Sequence, residues 1–389
     1  MEYGELIYLD NAATSFPKPR EVTDAVREFM LYSGGNAGRG SHKLALRAAE
    51  KIFDCRTRLA ALFDADGEEQ VCFTLNTTYA LNLCIKGLLK KGDHVLISDL
   101  EHNAVWRPVY KLWEKKIIEY DVFPSMLGDK SRGAKKICEA ISKLVRRNTR
   151  MLICTGSSNI CSVDMPLAEI GALCHRLGIL FVVDGAQCAG HTRISVKDMH
   201  IAVLCMPAHK GLLGPQGCGI VIWGKRVRAD TLTEGGNGVA SLEGRMPDEP
   251  PERYEAGTLP APAIAGLCAG LDVLSGLGAE RIAEHEKRLF RHAREGLEGI
   301  DGVKLYAPEH EGSVLLFNLE GYGSEELARE LSQRDICVRG GYHCAALAHK
   351  TLGTLDVGGV RASFGPFNSS CDVDRLCEAV KKIAMARRV

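Results

Sequence analysis

The sequence predicts an α/β protein: a mainly parallel β-sheet with helices on both faces, followed by a smaller α+β unit. Three observations carry this reading. Between about residues 43 and 223, short apolar runs alternate with longer amphipathic ones, the strand–helix–strand rhythm of a parallel sheet. The apolar runs are continuous, as strands covered on both faces require. After about residue 225 the rhythm changes, at a stretch rich in Gly, Pro and Glu.

Seven β-like runs define a seven-stranded sheet: "VCFTL" (71–75), "HVLISDL" (94–100), "IIEYDVF" (117–123), "RMLICT" (150–155), "ILFVVD" (179–184), "IAVLCM" (201–206) and "CGIVIW" (218–223). Helical stretches such as "TTYALNLCIKGLLKKG" and "PLAEIGALCHRLG" lie between them. "TEGGNGVASLEGRMPDEPPERYEAGTLPAP" is then a long connection, and such a loop inside a compact protein is usually functional. A long helix is expected over about 262–297. It is followed by a strand at 313–319, a helix at 324–334, the short strand "ICVR" (336–339), "GGVRASFG" (358–365) and a C-terminal helix from about 372. We expect a large domain over 17–265 and a small α+β domain built from 1–16 with 266–389.

Composition narrows the function. With 49 basic and 49 acidic side chains the formal net charge is zero, so no basic field points to nucleic acid. No run approaches the ~18 apolar residues of a membrane span, and no signal peptide is evident. The 15 cysteines are scattered, without a C-x-x-C pair or a Cys/His cluster of zinc spacing. This predicts no metal, a reducing and therefore cytoplasmic setting, and cysteines that serve mostly as small buried hydrophobes.

Ligands of open α/β sheets bind at the carboxyl ends of the strands. Asp184 closes "ILFVVD", Thr77 and Thr78 follow "VCFTL" and open a helix, and Lys210 follows "IAVLCM". A strand, small polar residues and a helix start form an anion site. On its own this stretch reads first as a plain Thr N-cap with nothing bound. A strand-end Asp caps a turn or holds a ring nitrogen protonated. A desolvated lysine has a depressed pKa and becomes an amine nucleophile toward an aldehyde, although an isolated strand-end lysine more commonly snorkels. Together the three features match one cofactor. Pyridoxal phosphate needs a lysine for its aldehyde, an acid for its pyridine nitrogen and a site for its phosphate.

The order of "IYLDNAAT", "NAGRGSH", "NTTYALN", "DLEHNAV", "SSN", "VDGAQ", "HKGLLGPQG", "YEAGT", "RGGYHC" and "VRASFGPFN" resembles the class V aminotransferase family, closest to its group II cysteine desulfurases and selenocysteine lyases. The resemblance covers essentially the whole chain, and "RGGYHC" is its most specific part. It implies fold type I of the pyridoxal-phosphate enzymes. Lys210 would then bond the cofactor aldehyde, Asp184 pair with the pyridine nitrogen, and Gln187 approach the ring hydroxyl. Asn159 would lie near that oxygen or the substrate, and His102 would stack on the ring and help move protons. The phosphate would be held by Thr77, Thr78 and His209, with Thr258 reaching it from a second subunit of a homodimer with shared active sites.

By the same resemblance, Arg361 would bind the substrate carboxylate, which suits its planar fork. Arg339 would sit near the substrate or the nucleophile, and Cys344 would be the persulfide cysteine. The implied reaction converts L-cysteine to L-alanine and passes sulfur through Cys344 to a sulfur-acceptor protein or a reductant. The alternative is a selenocysteine lyase, or another class V enzyme acting on a different amino acid. Three departures mark a divergent branch. Pro207 and Ala208 replace the usual Ser/Thr-Gly before "HK", removing up to two phosphate hydrogen bonds unless His209 and water supply them. Tyr342 stands where many relatives carry a second histidine, and "GSSN" replaces "HVSN".

Overall fold

The computed structural model describes residues 6–38, 40–129 and 131–386. Arg39 of "NAGRGSH", the first five residues of the expected small domain, and residues 387–389 lie outside them. Strands β1 (Ile7–Tyr8), β2 (Val71–Thr74), β3 (His94–Ser98), β4 (Glu119–Phe123), β5 (Thr149–Thr155), β6 (Leu180–Asp184), β7 (Val203–Pro207) and β8 (Gly219–Trp223) alternate with helices α1 (Arg20–Tyr32), α2 (Lys43–Leu62), α3 (Thr77–Leu88), α4 (Asn103–Glu114), α5 (Ala134–Leu144) and α6 (Leu167–Leu177).

The expected seven-stranded sheet forms with strand order β2-β8-β7-β6-β5-β3-β4. Neighbours are parallel except along β8, which is antiparallel to both β2 and β7. Two reversals cancel, so β2 runs parallel to β7 and its carboxyl end falls on the same side as those of β3, β5, β6 and β7. The strands are buried on both faces, with Leu96, Leu152 and Phe181 in one core cluster and Val95, Ile153 and Val182 in the other. Burial of each such side chain is worth about 1.5–3 kcal/mol. The helices have local stop and start signals. Asn76 caps α3 by accepting from Tyr79 N at 2.9 Å, and Gly178 ends α6 in the left-handed conformation at φ 67°.

No strand or helix lies between Trp223 and Ala261, so the predicted long connection is present. The single helix expected over 262–297 is instead two, α7 (Ala261–Leu277) and α8 (Ala279–Glu298), bent by 76°. Gly278, at φ +83°, makes the break. The two halves serve different surfaces. The apolar α7 packs on α1 and α2, whereas the amphipathic α8 packs on the C-terminal helix and on strands of a second sheet.

That second sheet is antiparallel, with the order β12-β13-β10-β9, built from β9 (Val303–Tyr306), β10 (Val314–Leu319), β12 (Arg339–Gly341) and β13 (Gly359–Ser363). "ICVR" is not one strand. Ile336–Cys337 form β11, parallel to β1, and Arg339 opens β12 beside β13. Helices α9 (Ser324–Ser332), α10 (Ala346–Leu352) and α11 (Ser370–Ala386) complete this part. Its core holds Ile7, Leu9, Phe290, Phe317 and Phe364, so the N-terminal strand is buried with residues more than 280 positions away.

Candidate active site

Ten of the twelve residues singled out from the sequence line one cavity of about 220 Å³: Thr77, Thr78, His102, Asn159, Asp184, Gln187, His209, Lys210, Arg339 and Arg361. The cavity sits at the carboxyl edge of the large sheet. The end of β2 and the start of α3 bring Thr77 and Thr78, the end of β3 brings His102, β6 brings Asp184, and β7 leads into His209 and Lys210. Arg339 and Arg361 arrive from β12 and β13, where their Cα atoms are direct partners.

Close packing holds the cradle together. A Cβ at Gly219 would meet Asn76 C at 2.4 Å, and one at Gly211 would meet Ala189 O at 2.2 Å. Glycine therefore lets β8 pass beneath the α3 terminus and lets the chain turn directly after Lys210. The N-terminal segment clasps the same place from the other side. His209 O accepts from Ser15 N at 3.0 Å, Thr14 Oγ1 at 3.1 Å and Lys18 Nζ at 2.8 Å.

Burial dominates the electrostatics. It pushes the Asp184 carboxyl up, an effect partly offset by the hydrogen bond from Ala186 N and by Lys210. It also pushes the Lys210 amine down to about 8, helped by the neighbouring Arg361 and opposed by Asp184. His102 falls to about 4 through burial and the cations Lys210, Arg339 and Arg361. Its Nδ1 accepts from Ala104 N at 3.0 Å, so the proton of the neutral ring is on Nε2. His209 also falls to about 4, through burial and then Lys210 and Lys18. Arg361 is 1 % exposed; it donates to Asp10 Oδ1 at 2.6 Å and to Asn159 O at 3.1 Å, while its Nε is buried without a partner.

Two expected site residues are not in this cavity. Thr258 lines a separate one of about 580 Å³, with Asn36, Phe53, Arg56 and Glu255. That cavity is larger, but no lysine or histidine lines it. Cys344 stands at the rim. It is exposed, its neighbour His343 lines the cavity, and its carbonyl accepts from Asn103 N, beside His102, at 2.7 Å. Asn159 Nδ2 donates to His343 O at 2.9 Å, so Asn159 links the Arg361 guanidinium to the cysteine turn.

Sequence reasoning passed over Asp10, Glu101 and His343. Asp10 neutralises Arg361 from 351 positions away. Glu101 is buried behind the cavity, accepting from Ser98 Oγ at 2.5 Å and Thr155 N at 2.7 Å, and burial pushes it up to about 8. All three lie inside stretches quoted above, and a charged or titratable residue beside an apolar strand was the available signal.

Two buried polar atoms test whether pyridoxal phosphate fits. Thr77 Oγ1 and His209 Nδ1 both line the cavity, and neither has a hydrogen-bond partner. They flank the N-terminus of α3, where free amides favour an anion. Ala208 N is committed to Cys218 O at 3.0 Å and Pro207 has no N–H, so neither replaces the missing donors, and His209 Nδ1 is the adjacent polar atom without a partner. The donor set fits a phosphate.

The chain belongs to the class V aminotransferase family, whose sequence profile, described as "Aminotransferase class-V", matches residues 7–376. It is 33% identical over 386 residues to a probable cysteine desulfurase of Methanothermobacter thermautotrophicus, covering 97% of this chain and 94% of that one. It is 32% identical to a cysteine desulfurase of Escherichia coli K12, covering 97% of this chain and 93% of that one. Among solved structures, it superposes on the apo cysteine desulfurase of Thermococcus onnurineus NA1 with a TM-score of 0.87 at 31% identity, covering 98% of this chain and 96% of that one. The E. coli cysteine desulfurase CsdA gives a TM-score of 0.84 at 25% identity, covering 98% of this chain and 95% of that one.

Proposed function

We propose that this protein is a pyridoxal-phosphate-dependent cysteine desulfurase that converts L-cysteine to L-alanine and carries the sulfur on Cys344. One observation carries the reading. A desolvated lysine, a strand-end carboxylate and two buried polar atoms without partners meet in one cavity, in a chain one-third identical to named cysteine desulfurases.

When bound, the cofactor supplies an aldehyde for the amine and an electron sink for the substrate carbon. The chain holds it through Lys210, Asp184 and the cradle of Thr77, Thr78 and His209. Gln187 Nε2 donates one hydrogen to Ala12 O at 3.0 Å, leaving its second N–H and its carbonyl oxygen for the ring hydroxyl. Arg361 binds the substrate carboxylate through a charge-assisted hydrogen bond, worth about 1.5–3 kcal/mol. Lys210, a free amine once substrate is bound, takes the proton from the substrate Cα. His102, neutral and protonated on Nε2, presents a donor toward the reacting atoms. The Cys344 thiolate attacks the substrate sulfur. The Cys344 S–S bond forms as the substrate Cβ–S bond breaks, its electron pair staying with the substrate carbon; the proton on Lys210 returns to Cα, the proton given up by the Cys344 thiol is made good at Cβ, and alanine leaves. Being exposed, Cys344 can then meet a sulfur-acceptor protein, and Arg339 lies five residues before it.

Incubating the purified protein with L-cysteine and a thiol reductant tests the reading. Alanine and sulfide should appear in equal amounts. Borohydride reduction should fix the cofactor to the single tryptic peptide holding Lys210, and fixation elsewhere would remove the site assignment.

A further inference from the structure

The turn that presents Cys344 is conformationally costly. His343 and Cys344 are consecutive residues in the left-handed region, at φ 52° and φ 55°, where each side chain-bearing residue costs roughly 1–2 kcal/mol. One hydrogen bond closes the turn, Ala345 N to Tyr342 O at 2.9 Å, and two hold it from outside, Asn103 N to Cys344 O at 2.7 Å and Asn159 Nδ2 to His343 O at 2.9 Å. A fourth support lies beneath it. His343, His349 and Thr354 are all buried, 4 %, 0 % and 0 % exposed. The two rings lie nearly parallel, at 15° with centroids 5.7 Å apart.

Their partners and the contact between the two rings together select one arrangement of protons. His343 Nε2 lies 3.0 Å from Arg339 O. A carbonyl only accepts, so Nε2 carries hydrogen. Burial keeps both rings neutral, His343 being pushed down to about 3, so His343 Nδ1 is a bare acceptor. It faces His349 Nε2 at 3.5 Å. That nitrogen must therefore be the donor. His349 Nδ1 is then bare and takes the Thr354 hydroxyl proton across 2.7 Å, in preference to the His349 carbonyl 3.3 Å from the same hydroxyl. The direction runs from Thr354 to His349 to His343 to the Arg339 carbonyl, closing the base of the turn.

We propose that His349 is a positioning residue for Cys344: its ring fixes the tautomer of His343 and, through it, the left-handed turn that carries the thiol. The link to catalysis rests on Cys344 being the sulfur carrier. His349 touches neither cofactor nor substrate, so its loss should spare substrate binding and slow the step that needs the thiol in place.

Three variants of the cofactor-loaded enzyme decide this. His349→Leu fills the space but can neither donate nor accept. His349→Gln can do both, with its amide N–H toward His343 and its carbonyl toward Thr354. In His349→Leu, hydrogen–deuterium exchange of the peptide over 340–346 should quicken about 10-fold while β5 and β6 peptides keep their rates. The kcat for alanine formation should fall about 10-fold with KM within about 2-fold, and His349→Gln should restore both. Unchanged exchange in His349→Leu, a Gln variant no better than Leu, or a rise in KM at constant kcat overturns the proposal. If Leu loosens the whole chain, Thr354→Val carries the test, with a local quickening of about 3-fold expected and its absence counting against the proposal. Local loosening with Gln rescue, in an enzyme whose Cys344 takes up no sulfur from cysteine, supports the positioning and overturns the role given to Cys344.

Discussion

Lys210 shows how a buried position changes what a side chain can do. In water its amine is protonated near neutral pH; in this cavity burial pushes it down to about 8. Only the neutral amine attacks an aldehyde, so cofactor uptake by the stripped chain should rise with pH and level off above about pH 8, measured as growth of the visible absorbance of the bound cofactor. A plateau only above about pH 10, the ordinary lysine range, would mean that the amine is solvated. Arg361→Ala should raise KM for cysteine about 10- to 100-fold, the equivalent of one charge-assisted hydrogen bond.

Glu101 gives a stability test at the same scale. Its folded pKa of about 8 lies above the ordinary glutamate value of 4.5, so the folded chain keeps a proton that the unfolded chain has lost. That contribution is full below pH 4.5 and declines as pH rises to 8. Glu101→Gln stays neutral throughout, so its Tm relative to the parent should climb steadily between pH 5 and pH 8.5. A pH-independent difference would place Glu101 in contact with water.

The residues at strand ends were legible because the apolar runs announce where strands stop. Asp10 and His349 were not, since their meaning comes from Arg361 and from His343 in a buried stack. Cys344 was legible only through "RGGYHC", because one cysteine among 15 carries no sign of exposure.

At the scale of elements, the loop carrying Thr258 is tied down by a buried ion pair. Arg56 and Glu255 are 7 % exposed each, with Arg56 Nη2 at 2.5 Å from Glu255 Oε2 and Phe73 N donating to Glu255 Oε1 at 2.6 Å. Glu255→Ala should cost about 3–5 kcal/mol by stranding the Arg56 charge, read as a lower urea midpoint with an unchanged slope. A change under about 1 kcal/mol would mean that water reaches the pair. The large-sheet strands and helices were readable from periodicity, with ends shifted by a few residues. The α7–α8 break was not. An apolar and an amphipathic helix joined at Gly278 look like one continuous run until each finds its own packing surface. The split of "ICVR" depends likewise on partners, β1 and β13, that are distant in sequence.

For the whole molecule, we propose a homodimer and the domain division 17–265 against 1–16 with 266–389. Met30, Leu31 and Tyr32 at the end of α1 are 66 %, 63 % and 67 % exposed, and Phe53 of α2 is 55 % exposed beside the Thr258 cavity. An apolar surface of this kind calls for a partner. Sedimentation should give twice the chain mass. Thr258→Ala should weaken cofactor retention by about 0.5–1.5 kcal/mol, one hydrogen bond. A monomer that holds the cofactor tightly would contradict the shared site.

The central claim is that sulfur passes through Cys344, and the mass of one peptide tests it most directly. After brief exposure to L-cysteine without reductant, the peptide holding Cys344 should gain one sulfur atom. In Cys344→Ser the cysteine-induced change in the cofactor spectrum should persist, since Lys210 and Arg361 remain, while alanine production falls and no sulfur is gained, because a hydroxyl without an activating base is a poor nucleophile. Alanine formed by Cys344→Ser at the parent rate, with no sulfur found on the parent peptide, would contradict the account.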